Sequence, residues 1–288
     1  MNDLPLLPRL YCIVAAAAPT ALVFQRGPGR RWGLHRLDLS SGNLEQGAAF
    51  KGTLYPRRCD LSPDGSLLSY FALKGGNGEF MGQRGVKTYS AVSKAPWLFA
   101  LAAWPESGTW TRGAHFEANS GAAVRGTSVM GPALLGDINP LATNYRLTLQ
   151  KTAAQQYATE RRRGWVEDAD CPARGANDVW DERRNVVLTK LRPAGRHSAR
   201  LIIRDSGRQA GGIEGRCPNY SIEQRKSLVE LENVTWADWD PYGRLLVATR
   251  DSRLQIRDAD SPALKVVREH VLVEPVPNQP APAWAQRW

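Results

Sequence analysis

Long apolar stretches are missing from this sequence. No run approaches the ~18 residues that a membrane-spanning helix needs, so a membrane is not expected among the partners. Cysteine is sparse: Cys12, Cys59, Cys171 and Cys217 form no Cys-x-x-Cys pair, and none has a histidine at metal-ligand spacing. A structural zinc is therefore not expected. So few thiols in 288 residues point to a reducing compartment and a cytoplasmic location, although Cys171 and Cys217, each followed by proline, leave a pairing open. The four histidines, at 35, 115, 197 and 270, are scattered, and no Gly-x-Ser-x-Gly occurs, which removes the nucleophile-elbow class of hydrolase. The acidic cluster Glu167-Asp168-x-Asp170, near Asp178 and Asp181, lacks the Asp-x-Asp-x-Asp-Gly loop with a closing glutamate, so it reads as a solvated loop and not as a calcium site. No metal and no cofactor are expected. Amphipathic helical periodicity is scarce too; the one helix candidate runs over Thr152–Arg163 and is closed by Gly164.

What the chain does contain is core material, at 42% hydrophobic residues with ten tryptophans, and a formal charge of +10. Such a charge attracts polyanions at low salt and repels other copies of the chain, so a monomer is expected. It is dispersed, however. The densest run, Arg161-Arg162-Arg163, is diluted by Glu160, Glu167 and Asp168 and reads as a solvated stretch of mixed sign, so nucleic acid is not an expected partner. Leu10–Val14 with Ala15 to Ala18 resembles the apolar core of a signal peptide, which would place the protein in the periplasm or outside the cell. Asp3, Pro5 and Pro8 count against a leader, and the continuation into Thr20–Phe24 favours a first β-hairpin.

Short runs of Val, Ile, Leu, Tyr and Trp bounded by Gly, Pro, Asn and Asp recur throughout. They predict strands at Leu22–Phe24, Gly33–Leu39, Leu67–Leu73, Trp97–Trp104, Tyr145–Leu149, Val186–Leu191, Arg200–Arg204 and Leu245–Arg250. Two of them follow the same turn. Asp60-Leu61-Ser62-Pro63-Asp64-Gly65-Ser66-Leu67-Leu68 aligns with Asp238-Trp239-Asp240-Pro241-Tyr242-Gly243-Arg244-Leu245-Leu246. In each, proline presets φ, glycine takes φ > 0, and an apolar strand returns antiparallel. Weaker echoes lie at Ala18-Pro19, Asn139-Pro140 and Asp181–Val186.

These turns resemble the repeat of TolB-type and WD-repeat-like β-propellers, in which the turn joins the two innermost strands of a blade. The chain as a whole is similar to bacterial propeller-like proteins of uncharacterised function. The resemblance implies an all-β propeller of five or six irregular four-stranded blades over residues 1–275, with a Pro/Trp-rich tail over 276–288 that is either disordered or an extended strap held by Trp284 and Trp288. It also implies that the two terminal strand segments, Leu10–Ala16 and Arg268–Pro275, lie in the same or adjacent blades.

Function follows less directly. Asp60, Pro63, Asp64, Gly65, Asp238, Pro241 and Gly243 read as a structural turn motif, because turn aspartates accept hydrogen bonds from backbone N–H groups. Trp236 and Trp239 offer a possible stacking surface for a ligand, against the alternative of filling contacts between blades. The expectation is a noncatalytic scaffold or recognition module that binds a protein partner through rim loops. The alternative is a propeller hydrolase acting on carbohydrate or peptide, with turn carboxylates such as Asp60, Asp64, Asp238 and Asp240 brought across a central channel.

Overall fold

The computed structural model describes residues 7–73, 79–80, 83–84, 87–106, 108–109, 114–118, 145–149, 157–168, 186–205 and 217–287. The chain is all-β, and its strands pair with their neighbours in sequence, as short turn-bounded apolar runs dictate. A first sheet is the meander β1 (Arg9–Val14), β2 (Thr20–Arg26), β3 (Arg31–Asp38) and β4 (Leu44–Lys51). In the second, β5 (Thr53–Leu54) and β6 (Asp60–Leu61) both pair with β7 (Leu67–Leu73). Beyond the small hairpin of β8 (Glu79–Phe80) and β9 (Gln83–Arg84), β10 (Thr88–Lys94) and β11 (Ala102–Glu106) complete that sheet. A two-stranded pair follows, β12 (Ala114–Ala118) with β13 (Tyr145–Leu149).

The short helix α1 (Ala158–Arg162) then leads into a five-stranded sheet. Its strands, in order, are β14 (Val166–Glu167), β15 (Val186–Leu191), β16 (Ala199–Asp205), β17 (Asn219–Gln224) and β18 (Ser227–Glu230). The last sheet is β19 (Val234–Trp239), β20 (Leu245–Thr249), β21 (Arg253–Arg257) and β22 (Val266–Val271). Every pairing within these sheets is antiparallel. Among the described residues no helix is long and apolar enough to cross a membrane.

In the first and last sheets burial falls from the first strand to the last. All of Leu10–Val14 is buried in β1 while β4 is largely open, and β19 is nearly all buried while β22 shows Val266, Val267 and Val271 to solvent. The buried ends face one another: β1 packs against β6, β19 and β20, and β6 against β12. One continuous core joins Leu10, Ile13, Leu22, Leu61, Leu68, Trp236, Leu246 and Ile256 across three sheets. A second joins Leu188, Leu201, Ile222, Trp239 and Leu245 across the fourth and fifth.

Two sequence expectations need correction. Trp97–Trp104 is not one strand: Ala95-Pro96-Trp97 turns the chain between β10 and β11, and Ser93 Oγ donates to the Trp97 carbonyl at 2.6 Å to hold that turn. The helix over 152–163 is confined, within the described residues, to Ala158–Arg162, with Tyr157 at φ 56 before it and Gly164 at φ 86 behind it.

The two chain ends lie in adjacent sheets, and the tail over 276–287 is a strap. Gln25 of β2 donates to the carbonyls of Leu272 at 2.9 Å and Glu274 at 2.7 Å. Its side-chain oxygen meets His35 Nε2 at 2.9 Å, and burial, then His270, lowers the His35 pKa to about 4, so this imidazole is neutral at pH 7. Val276 lies over Gly33, where any Cβ would collide with it. Ala285 then inserts beside Ala48 of the first sheet and Trp97 in the turn between β10 and β11 of the second. Trp284 is not the anchor: it is 44% exposed, and its carbonyl accepts from Lys94 Nζ at 3.0 Å. Trp288 lies outside the described residues. Because the strap spans from the last sheet across the first to the second, truncation from Val276 onward should lower Tm by about 3 to 10 °C, the effect of roughly 1–3 kcal/mol in a domain of this size. Differential scanning calorimetry checks it.

Candidate functional site

The two repeat turns sit where neighbouring sheets touch. Gly65 and Gly243 adopt φ +74 and +73, the left-handed region that the aligned sequences require. Ser62 Oγ accepts from the Leu67 N–H at 2.9 Å and donates to Asp64 Oδ1 at 2.5 Å. In the second turn one carboxylate does this work: Asp240 Oδ1 accepts from the N–H groups of Tyr242 at 3.0 Å and Arg244 at 2.8 Å. The turns differ by one residue in closure, with Leu61 opposite Leu68 but Trp239 opposite Leu245.

Each turn also reaches a neighbouring sheet. The Ala17 N–H donates to the Pro63 carbonyl at 2.8 Å, Arg192 Nε to Gly243 O at 2.6 Å, and Arg244 Nη2 to Leu39 O at 2.5 Å. Tyr242 OH and Ser40 Oγ share a hydrogen bond of 2.7 Å. The β1–β2 and β3–β4 turns, both repeat turns and the 192–197 hairpin therefore form one connected rim. Gly65→Ala should cost about 1 kcal/mol from its positive φ. Gly243→Ala should cost about 2 kcal/mol or more, because the new Cβ also overlaps the backbone carbonyl of Ala194 outright, whereas at Gly65 it only crowds Thr20 Cβ at 2.9 Å. Urea denaturation of both variants measures the difference.

Beneath this rim the buried ends of the sheets enclose charge. Asp60, first residue of β6, receives Arg163 Nη2 at 2.5 Å on Oδ1 and the Phe116 N–H at 2.9 Å on Oδ2. Arg163 also donates to the carbonyls of Val14 and, at 3.1 Å, Leu61, so it joins β1, β6 and the segment following α1. Asp238, the equivalent residue of β19, receives Lys190 Nζ at 2.6 Å and the Trp239 N–H at 2.7 Å. Glu160 of α1 receives Arg57 Nη1 at 2.5 Å and the Tyr11 hydroxyl at 3.1 Å. Tyr157 donates to Asp205 at 2.7 Å. The Arg57 guanidinium lies 5.2 Å from the Tyr11 ring centre and 4.7 Å from that of Tyr157.

These groups are out of water: side-chain exposure is 9% and 7% for Arg57 and Glu160, and 11% and 6% for Arg163 and Asp60. Burial works against the Arg57 charge, but Glu160, Tyr157 and Tyr11 outweigh it and hold the guanidinium well above its ordinary pKa. Burial, then Glu160, pushes the Tyr11 hydroxyl well up; burial, then Asp238, does the same to the Cys12 thiol. Tyr157 and Tyr220 are also raised by burial. The shifts take these hydroxyls and this thiol away from neutrality, where an acid–base catalyst would need to be poised. The arrangement holds charges in fixed pairs and is built to fasten sheets.

Asp60 and Asp238 are thus placed at the buried ends of their sheets, each with a cation, and Asp64 stays in its turn. Trp236 and Trp239 are 4% and 2% exposed and offer no face to a ligand: Trp236 packs edge-on to Tyr11, and Trp239 donates its indole N–H to the Lys190 carbonyl at 3.1 Å. The reading of Arg161-Arg162-Arg163 as a solvated run is corrected at its two ends, since Glu160 and Arg163 point inward; Arg162 is exposed, and Arg161 makes a partly exposed pair with Glu167 at 2.8 Å. Arg57, Glu160, Arg163 and Lys190 were not legible as a group, because they come from three separate segments; the sole sequence signal was the two aligned aspartates. Among the described residues no group of three or more His, Cys, Asp or Glu is arranged to hold a metal ion. Cys12, Cys59 and Cys217 are thiols, while Cys171, Asp170, Asp178 and Asp181 lie outside the described residues. The sequence matches no protein-family model and none of the curated proteins with which it was compared.

Proposed function

We propose that the chain is an irregular β-propeller of five blades that serves as a noncatalytic recognition module, presenting its turn-built rim to a protein partner. Support for the architecture comes from the sequential antiparallel sheets, the buried first strands that pack on one another, and the two equivalent turns. The fourth sheet enters this scheme differently, reaching the centre through Tyr220 of β17, whose strand packs on β19. The tail strap takes the place of a shared blade: it covers the joint between last and first sheets from outside, where an unsealed edge would leave backbone groups unpaired.

The observation that carries the functional reading is the pairing of Asp60 with Arg163 and of Asp238 with Lys190. A hydrolase of the channel type needs two carboxylates convergent on a substrate, and here both are committed to cations and backbone N–H groups within the core. The rim is different. Tyr242 is 49% exposed at its centre, flanked by exposed Ser40, Ser41 and Pro241, and it stands on turns braced by hydrogen bonds. An exposed aromatic on a rigid base is the usual form of an interface anchor. Affinity capture from the native host with the wild-type chain and with Tyr242→Ala is the test. The reading expects a partner retained by the wild type and lost, or strongly depleted, with Tyr242→Ala at unchanged Tm. The same partner recovered equally with both, or turnover of a glycoside or peptide by the purified chain, would overturn it.

A further inference from the structure

The hairpin between β17 and β18 closes on two cations in a conformation that disfavours them. Gln224 pairs with Ser227, so Arg225 and Lys226 alone make the turn, and both take left-handed backbone, at φ 50 and φ 64. A two-residue turn of this kind is served best by Asn-Gly, because other side chains crowd the backbone at positive φ. Such strain clusters where a residue is positioned for a ligand. The neighbouring carboxylates are already engaged. Asp260 takes the Arg192 guanidinium at 2.7 and 3.1 Å and the Arg196 N–H at 3.1 Å, and Asp258 accepts from the Asp260 N–H at 2.9 Å. Arg225 reaches only a neutral group, the Asp260 carbonyl, at 2.8 Å. Arg196, Arg225 and Lys226 are therefore exposed cations whose side chains meet no carboxylate among the described residues.

Apolar surface lies next to these cations. Across the fourth sheet Leu191 stands opposite Arg200, Arg200 opposite Glu223 and Glu223 opposite Leu228, and residues directly opposite one another share a face. Arg200 Nε donates to Glu223 at 2.8 Å, so that pair is neutral overall, while Leu191 and Leu228 are 73% and 53% exposed. The patch is continuous with Tyr242, because Arg192, which follows Leu191 in the chain, donates to the Gly243 carbonyl. A nucleic acid needs an unbroken basic stripe for its phosphates, and here leucines and a neutralised pair interrupt it. A peptide that mixes carboxylates with aliphatic side chains complements both kinds of surface.

We propose that the partner segment seated beside Tyr242 is acidic with interspersed aliphatic residues, its carboxylates met by Arg196, Arg225 and Lys226 and its aliphatic side chains by Leu191 and Leu228. This rests on the reading of the rim as a protein-binding surface and adds the chemistry of what it binds. Fluorescence anisotropy with the full chain tests it in physiological salt, where the dispersed charge of the molecule is screened. The probes are a short labelled peptide of glutamate and leucine, its glutamine counterpart, and a labelled oligothymidylate. Saturable binding of the glutamate peptide is expected, tighter than that of the other two and weakened about tenfold or more by Arg196→Glu/Lys226→Glu. Arg225→Asn/Lys226→Gly should raise Tm by relieving the turn and still weaken the glutamate peptide, a loss that misfolding does not explain. No saturable binding of that peptide, tighter binding of oligothymidylate, or undiminished affinity in both double variants would overturn the proposal. A glutamine peptide that binds as well as the glutamate one and is lost with Tyr242→Ala would overturn the acidic segment while sparing the rim reading. Glutamate-peptide binding that needs the cations but ignores Tyr242→Ala would support the acidic segment and count against Tyr242 as the rim's anchor.

Discussion

Arg163 is the residue on which the arrangement of sheets depends most. Its guanidinium takes the Asp60 carboxylate and the carbonyls of Val14 and Leu61 together, so the end of the first strand, the start of the second sheet and the segment after α1 share one charged group. Burying a carboxylate where sheets converge is tolerable only if it is paired and its remaining lone pairs are met. Asp60 satisfies both conditions through Arg163 and the Phe116 N–H, which draws β12 to the same point. Asp238 repeats the solution with Lys190 and a backbone N–H; Glu160 is paired with Arg57 and Tyr11, both on one oxygen, while its other oxygen is buried without a hydrogen-bond partner among the described residues. Apolar packing supplies the bulk of the core energy but is non-directional. Directional charge-assisted bonds fix which strand end meets which.

The same division of labour extends outward. Turns that neutralise their own backbone internally are free to donate to neighbouring sheets, as Arg244 does to Leu39 and Ala17 to Pro63. The strap, which has no sheet partner of its own, is held by single insertions at places emptied of side chain: Val276 over Gly33 and Ala285 beside Ala48. Under the proposed reading, one face of the molecule is thereby rigid and rich in turns. A protein that uses its centre for fastening has its surfaces left for recognition.

Local chemistry was legible in the sequence and long-range pairing was not. The Pro63-Asp64-Gly65 and Pro241-Tyr242-Gly243 turns could be read because proline, glycine and a following apolar strand fix a turn within a few residues. The hairpin of β1 and β2 was readable because the apolar run Leu10–Val14 continues shortly into a second, Thr20–Phe24. Arg161-Arg162-Arg163 misled because neighbouring charges of mixed sign look solvated; the left-handed Tyr157 and Gly164 that bracket the helix turn Glu160 and Arg163 inward, and only the fold supplies their partners 103 residues away. Trp97 looked like a strand residue by composition, yet it closes a turn whose position is set by contact with Ala285, almost two hundred residues on. The tail held no strand period because its shape is imposed by the surface it crosses.

The account rests on the central carboxylates being structural, and a double-mutant cycle on Asp60 and Arg163 tests that most directly. Asp60→Leu and Arg163→Met, measured singly by equilibrium denaturation, are each expected to cost about 3–5 kcal/mol, because each leaves an uncompensated charge in the core. The double variant, which removes both charges, is expected to regain a large part of that loss, giving a coupling well above the ~1 kcal/mol typical of exposed pairs. Single variants that shift stability by less than about 0.5 kcal/mol, with additive effects in the double, would show Asp60 to be solvated and available, and would contradict the account.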